Sequence, residues 1–236
     1  MDEYAVEKSL PYYDQIYQSI REMIFNGVFK PGERVYEAKI AREFNVSRSP
    51  VREAVKILEK EGLLVVDDKS RISVFNPTVK DFEEIYQCRI VLESLATQLT
   101  TRLATQEQLS EIENVIVQTR KYLEKEDHNR ESIIDLNAEF HELITRYSQN
   151  SRLQKQLYDL RSLSHYYRVM NFKGDKREWT LYKEHEEILN FMLARDAEKA
   201  SAAMAKHITN DLLHFKKITS SLDNTTLLNI KGIMGS

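Results

Sequence analysis

Between Tyr12 and Asn26 the apolar residues Ile16, Ile20 and Ile24 recur every fourth position with Met23 beside them, which predicts a helix with one buried face. Gly27 ends it, and Phe29-Lys30-Pro31-Gly32 reads as a turn. Glu37 to Phe44 is a short helix with Ile40, Ala41 and Phe44 inward, broken at Asn45-Val46, where asparagine tolerates the left-handed conformation. Ser47 is a candidate N-cap for a third helix, with Ser49-Pro50 as a competing start. Val51, Ala54, Val55 and Leu58 give that helix its apolar face, and Gly62 ends it. Leu63–Val66 and Arg71–Phe75 are β-branched runs around Asp67-Asp68-Lys69-Ser70, a small hairpin.

Pro77 disfavours helix in the residue before it and Thr78 can cap the next helix, so the chain is expected to change character here. The pattern afterwards is helical almost throughout, with helices expected near 78–103, 105–126, 130–149, 151–171, 176–194 and 196–219. The fold class is therefore mainly α: an N-terminal winged helix-turn-helix of three helices plus a small hairpin, then an all-α antiparallel bundle. The expected domains are 1–76 and 77–222, with 223–236 a flexible tail.

Composition narrows the classes. Only 6 Gly and 4 Pro are present, in keeping with long helices. The net charge of -3 excludes a polycation, so nucleic-acid binding requires a local basic surface. Lys30 to Lys60 tilts that way, with Arg34, Lys39, Arg42, Arg48, Arg52 and Lys56 between them. A single cysteine, Cys88, rules out an intrachain disulfide. The acidic start Met1-Asp2-Glu3-Tyr4 is no secretory signal, and no run approaches the roughly 20 apolar residues of a membrane span. A cytoplasmic protein without membrane association is the expectation.

Arg48 and Arg52, four residues apart, share the polar face of the third helix near its N-terminus, the end that enters a major groove in a helix-turn-helix. Arginine suits that place because its planar fork grips guanine O6 and N7 together. Ser47 and Ser49 can donate to phosphates. The alternative, two arginines on an ordinary solvated face, is common for an isolated helix; the helix–turn–helix–hairpin order argues against it.

The resemblance is specific. Lys30-Pro-Gly-Glu-Arg-Val, Ile40-Ala-Arg-Glu-Phe-Asn-Val-Ser-Arg-Ser-Pro-Val-Arg-Glu-Ala-Val and Leu58-Glu-Lys-Glu-Gly-Leu resemble the DNA-binding domain of the GntR family of regulators. This implies operator contacts from Arg48 and Arg52, with Ser47 and Ser49 on the backbone. Ala38 and Lys39 stand where a further arginine sometimes lies. The wing tip also departs from the usual glycine: Lys69 and Arg71 can approach DNA, while Asp67 and Asp68 oppose it. A palindromic operator read by a homodimer is the usual geometry for such a head.

The second half resembles the FCD ligand-binding domain of the FadR-like branch, through Ile85-Tyr-Gln-Cys-Arg-Ile-Val-Leu-Glu93, Asn137-Ala-Glu-Phe-His141, Glu184-His185-Glu-Glu-Ile-Leu and Met204-Ala-Lys-His207. Independently of that, His141, His185 and His207 each lie on an apolar helix face and could converge on one cation from a bundle core. The alternative for any one of them is a core histidine bonded to its neighbours. Metal-binding FCD members use an aspartate and three histidines; the matching aspartate position is Asn137, which leaves the site at the full +2 charge of a divalent Zn or Ni and open to an anionic effector. The resemblance places Arg89 toward the ligand cavity, the alternative being an i,i+4 pair with Glu93. Tyr86, Arg161, Tyr166, Tyr167 and Arg168 are further candidate walls.

Three functions compete. The first is a regulator, most often a repressor in this family, binding double-stranded operator DNA under control of a small metabolite such as an organic acid. The second is a metal-dependent enzyme using His141, His185 and His207. The third is an architectural DNA-binding protein with a purely structural bundle.

Overall fold

A computed structural model describes residues 11–125, 130–164, 167 and 177–220. They fall into two compact units that part between Pro77 and Thr78. The tail 223–236, and the candidates Tyr166 and Arg168, lie outside the described residues.

In the first unit, α1 (Tyr12–Phe25) buries Ile16, Ile20 and Ile24, α2 (Glu37–Glu43) buries Ile40 and Ala41, and α3 (Arg48–Lys60) buries Val51, Ala54, Val55 and Leu58. The α2–α3 turn is a Schellman closure. Asn45 takes φ 52°, its N–H reaches Arg42 O at 3.2 Å, and the Val46 N–H reaches Ala41 O at 2.9 Å. Those bonds satisfy carbonyls that the end of α2 would leave orphaned.

Ser47 is the α3 N-cap by backbone conformation, so Pro50 falls inside the first turn, where its missing N–H costs nothing. A three-stranded antiparallel sheet completes the unit in the order β1-β3-β2. Here β2 (Leu64–Val66) and β3 (Ile72–Val74) form the expected hairpin. The additional β1 (Arg34–Val35) pairs Val35 with Ile72. The hairpin expectation omitted β1, because two residues carry no alternation to read.

The second unit is helical: α4 (Val79–Leu103), α5 (Gln106–Leu123), α6 (Arg130–Tyr147), α7 (Ser151–Asp159), α8 (Arg177–Leu193) and α9 (Ala197–Ser220). Thr78 and Asp81 close a capping box on α4, and Thr105 and Gln108 another on α5. The expected continuous helix over 151–171 is corrected: α7 stops at Asp159 with Leu160 as its cap, and residues 161–164 are helical again. No glycine or proline marks that interruption.

α4 runs antiparallel to α9, as three cross-links show. Glu83 meets Lys216, Ser94 meets Ser201 and Arg102 meets Glu198, the two numberings running in opposite directions. α4 also packs on α6, and α5 lies between α6 and α8. Phe82 stacks between Tyr86 and Phe215 with ring centroids 4.1 and 3.6 Å away. That aromatic layer, with Ile133, Phe140, Ile188 and Met192, fixes the helices that carry the histidines. Among the described residues no helix is long and apolar enough to cross a membrane.

Candidate functional site

Because the four apolar positions of α3 are spent on the core, its other face is left to water. Ser47, Arg48, Ser49 and Arg52 are all exposed at or near its N-terminus. The Ser47 side chain makes no capping bond to the helix. Arg52 pairs with Glu37, with Nε 3.8 Å from Oε2 and the guanidinium side chain 61% exposed, an ion pair of small worth in water.

The wing tip is built by Asp67. Its Oδ1 accepts from the backbone N–H of Lys69 and of Arg71, each at 2.9 Å, while Ser70 takes φ 55°. This Asx-type turn closes the tip without a glycine. The Arg71 amide is foremost among the contacts that hold the Asp67 carboxyl below the usual range. The Arg71 guanidinium is tied back to Asp67 Oδ2 at 2.5 Å, and Lys69 is exposed. Asp67 is thus a structural partner of the wing as well as a charge opposed to DNA.

In the bundle, His141 on α6, His185 on α8 and His207 on α9 come together, all buried. His207 Nε2 lies 3.1 Å from His185 Nε2 and 3.4 Å from His141 Nε2. The outward nitrogens of two rings face carboxylates: His141 Nδ1 is 2.5 Å from Glu93 Oε2, and His207 Nδ1 is 2.8 Å from Glu184 Oε2. In neutral rings those contacts put the proton on Nδ1 and leave the Nε2 of His141 and His207 as bare lone pairs. Lone pairs facing each other at this distance repel unless a positive centre lies between them.

Two nitrogens bound at about 2.1 Å to one tetrahedral ion stand about 3.4 Å apart, and about 3.0 Å for a right-angle arrangement. The two spacings to His207 fall in that window, and the ligand nitrogens of all three rings lie within 4.8 Å of one another. The residues therefore fit a divalent transition metal. Asn137, one turn before His141 on α6, is 2% exposed, and neither its Oδ1 nor its Nδ2 has a hydrogen-bond partner among the described residues. A buried amide is costly to leave in that condition, and its oxygen is a competent ligand.

Carboxylates and guanidiniums surround the histidines. Glu93 bridges the cluster to Arg89, whose Nε donates to Glu93 Oε1 at 2.6 Å. Arg89 is 1% exposed, its Cζ sits 4.6 Å over the Tyr86 ring, and neither Nη1 nor Nη2 has an acceptor among the described residues. Burial opposes its charge, but Glu93 outweighs that, and its pKa rises above the ordinary arginine value. Behind His207, Arg177 grips Glu184 at 2.9 Å and Asp211 at 2.8 Å. Burial works against ionisation of Glu184 and Asp211. The hydrogen bond from His207 to Glu184, and Arg177 beside both carboxylates, hold the two pKa values below the usual range. Glu184, Arg177 and Asp211 escaped the sequence reading; a landmark Glu184 beside His185 was the one hint available. Tyr86, Tyr167 and the aromatic layer are buried, whereas Arg161 pairs with Glu142 in solvent.

Residues 12–74 match the model for bacterial regulatory proteins of the gntR family, and residues 84–210 match the FCD domain. The HTH-type transcriptional regulator YdhC of Bacillus subtilis is 40% identical over 92% of this chain and 97% of its own length. The chain belongs to the GntR family of transcriptional regulators, in its FCD-bearing, FadR-like branch. The Nta operon transcriptional regulator of Aminobacter aminovorans is 27% identical over 80% of this chain and 86% of its own. The gluconate operon transcriptional repressor of Bacillus licheniformis is 28% identical over 72% and 68% respectively. In fold the chain is similar to E. coli McbR/YncC, with TM-score 0.74 and 21% identity over 89% of this chain and all of that one. Members of this GntR family are transcriptional regulators and not enzymes, so the metal-dependent hydrolase or oxygenase reading has no support. Its GntR head implies operator DNA as a partner.

Proposed function

We propose that this GntR-family chain is a repressor that acts as a homodimer and releases its operator when a small carboxylate binds the helical unit. Arg48 and Arg52 read base edges, Ser47 and Ser49 hold phosphates, and Lys69 and Arg71 supply weaker wing contacts. In the bundle, His141, His185, His207 and Asn137 hold a divalent metal, which supplies a Lewis-acidic point for an anion. Glu93 and Glu184 orient the imidazoles, and Tyr86 supports the Arg89 guanidinium from below.

The observation that carries this reading is Arg89: a fully buried guanidinium with two nitrogens lacking acceptors among the described residues, joined through one carboxylate to the histidine cluster. A carboxylate accepts two N–H bonds from such a fork in its preferred geometry. Binding that discriminates between two states of the protein shifts their populations, and a tenfold change in DNA affinity needs about 1.4 kcal/mol of coupling.

The test uses DNA fragments selected by the protein from a random pool. Their binding is followed by fluorescence anisotropy in a panel of mono-, di- and tricarboxylates with Zn or Ni present. At least one carboxylate should weaken wild-type binding tenfold or more and leave Arg89→Gln unmoved. A panel without effect on the wild type, or an effect that survives in Arg89→Gln, contradicts the reading.

A further inference from the structure

Two buried arginines flank the histidine cluster, and they spend their nitrogens in opposite ways. Arg89 commits Nε to Glu93 at 2.6 Å, while its Nη pair has no acceptor among the described residues. Arg177 commits the Nη pair instead. Its Nη1 donates to Glu184 Oε1 at 3.2 Å, and its Nη2 donates to Glu184 Oε2 at 2.9 Å and to Asp211 Oδ1 at 2.8 Å. The side chain is 8% exposed. A guanidinium whose fork is already closed on two carboxylates is not offered to an incoming anion; it fixes the groups it holds.

Those groups sit on the turns that carry two of the histidines. Glu184 directly precedes His185 on α8, two turns after Arg177 and on the same side of the helix. Asp211 follows His207 by one turn on α9. His207 is the ring common to both short contacts of the cluster, its Nε2 lying 3.1 Å from His185 and 3.4 Å from His141. The direction of that one ring therefore sets the opening left for an ion.

The same network fixes which nitrogen of His207 carries the proton. A carboxylate accepts at about four positions. At Glu184 three are taken by groups that can only donate: Arg177 Nη1, Arg177 Nη2, and the amide Nδ2 of Asn210 at 2.8 Å from Oε1. With those donors in place Glu184 acts purely as an acceptor. Its remaining contact, to His207 Nδ1 at 2.8 Å from Oε2, then requires the ring to donate from Nδ1. In a neutral imidazole Nε2 is left as the lone pair that faces the other histidines. Release of the arginine lets Glu184 turn, and His207 is then free to hold either tautomer.

We infer that Arg177 is a positioning residue of the metal site: through Glu184 and Asp211 it holds His207 with the proton on Nδ1 and Nε2 turned toward the ion. The inference rests on the metal site of the proposed function and adds the group that sets its geometry. It also separates the two arginines, Arg89 serving the anion and Arg177 serving the histidines.

Calorimetric titration of the metal-stripped full chain with Ni or Zn tests it, with side-chain nitrogen NMR of the histidines and thermal unfolding recorded on each variant. Arg177→Lys keeps the charge but supplies a point donor that cannot span Glu184 and Asp211 together. It should bind the ion about tenfold more weakly, the low end for partners that stand behind a ligand. In the metal-free protein its His207 should pass from the single Nδ1-protonated form of the wild type to a mixture of tautomers. Arg177→Gln combined with Asp211→Asn removes one buried charge of each sign and should behave alike, which keeps the test open if the lysine variant does not fold. A lowered melting temperature with metal affinity and His207 tautomer both as in wild type would mark a merely structural clamp. That result overturns the inference and leaves the metal site standing, whereas a wild type that binds no ion overturns both.

Discussion

Replacing Glu93 by glutamine keeps the shape of the side chain and removes its charge at the point where two buried groups depend on it. Oε1 receives Arg89 Nε at 2.6 Å, and Oε2 lies 2.5 Å from His141 Nδ1. An amide offers one oxygen and one NH2, so either Arg89 or His141 must meet a donor with a donor. The Arg89 side chain is 1% exposed and its Nη atoms have no acceptor among the described residues, so bulk water cannot solvate the charge left behind. Removing one member of a buried pair in this way destabilises by about 3–5 kcal/mol.

That is a large share of the roughly 5–15 kcal/mol that holds a typical domain together. With a urea m-value of about 1–3 kcal/mol/M, the unfolding midpoint should fall by about 1 M or more. Trp179, the only tryptophan, lies on α8 within this unit and reports the transition. The same substitution should weaken metal binding about 10–100-fold, because His141 loses the partner that sets its tautomer. A midpoint within about 0.3 M of wild type in the metal-free protein would refute the argument that Glu93 is the counter-charge of Arg89.

Three further substitutions probe other contacts. Arg52→Ala should cost about 1–3 kcal/mol of specific DNA binding without lowering the melting temperature, since only an exposed 3.8 Å pair with Glu37 is lost; unchanged affinity in an anisotropy titration would remove Arg52 from the reading surface. Asn137→Asp should raise metal affinity at least tenfold by adding a negative ligand and should shift the calorimetric isotherm accordingly; an unaltered isotherm would place Asn137 outside the coordination shell. Thr78→Ala removes the α4 capping box and should lower stability of the helical unit by about 1 kcal/mol in urea titrations; no change would mean the α4 start is held by other contacts.

The N-terminal unit was legible because its signals are local. Ile16, Ile20 and Ile24 give a period, Asn45 and Gly27 give the stops, and Val51, Ala54, Val55 and Leu58 leave Arg48 and Arg52 nowhere to point but outward. β1 was missed because Arg34-Val35 exists only through its pairing with β3, nearly forty residues on. The three histidines were visible one by one as inward positions, and the structure brings them together. The network behind them was not visible. Arg177 meets Asp211 from another helix, and Glu184 meets His207 likewise, and a charged residue at such a position reads as solvated until tertiary packing buries it. For Arg89 the structure shows the alternative weighed from sequence, the i,i+4 pair with Glu93. Its Nε makes that pair, while both Nη atoms have no hydrogen-bond partner among the described residues.

The buried histidines are the hinge of the account, and calorimetric titration of metal-stripped full chain with Ni or Zn interrogates them most directly. One ion bound per chain, lost in His185→Ala with helicity retained, is the predicted result. Heat no greater than dilution in the wild type, or a stoichiometric site that persists in His185→Ala, would mean that His141, His185 and His207 are packed core and hold no metal.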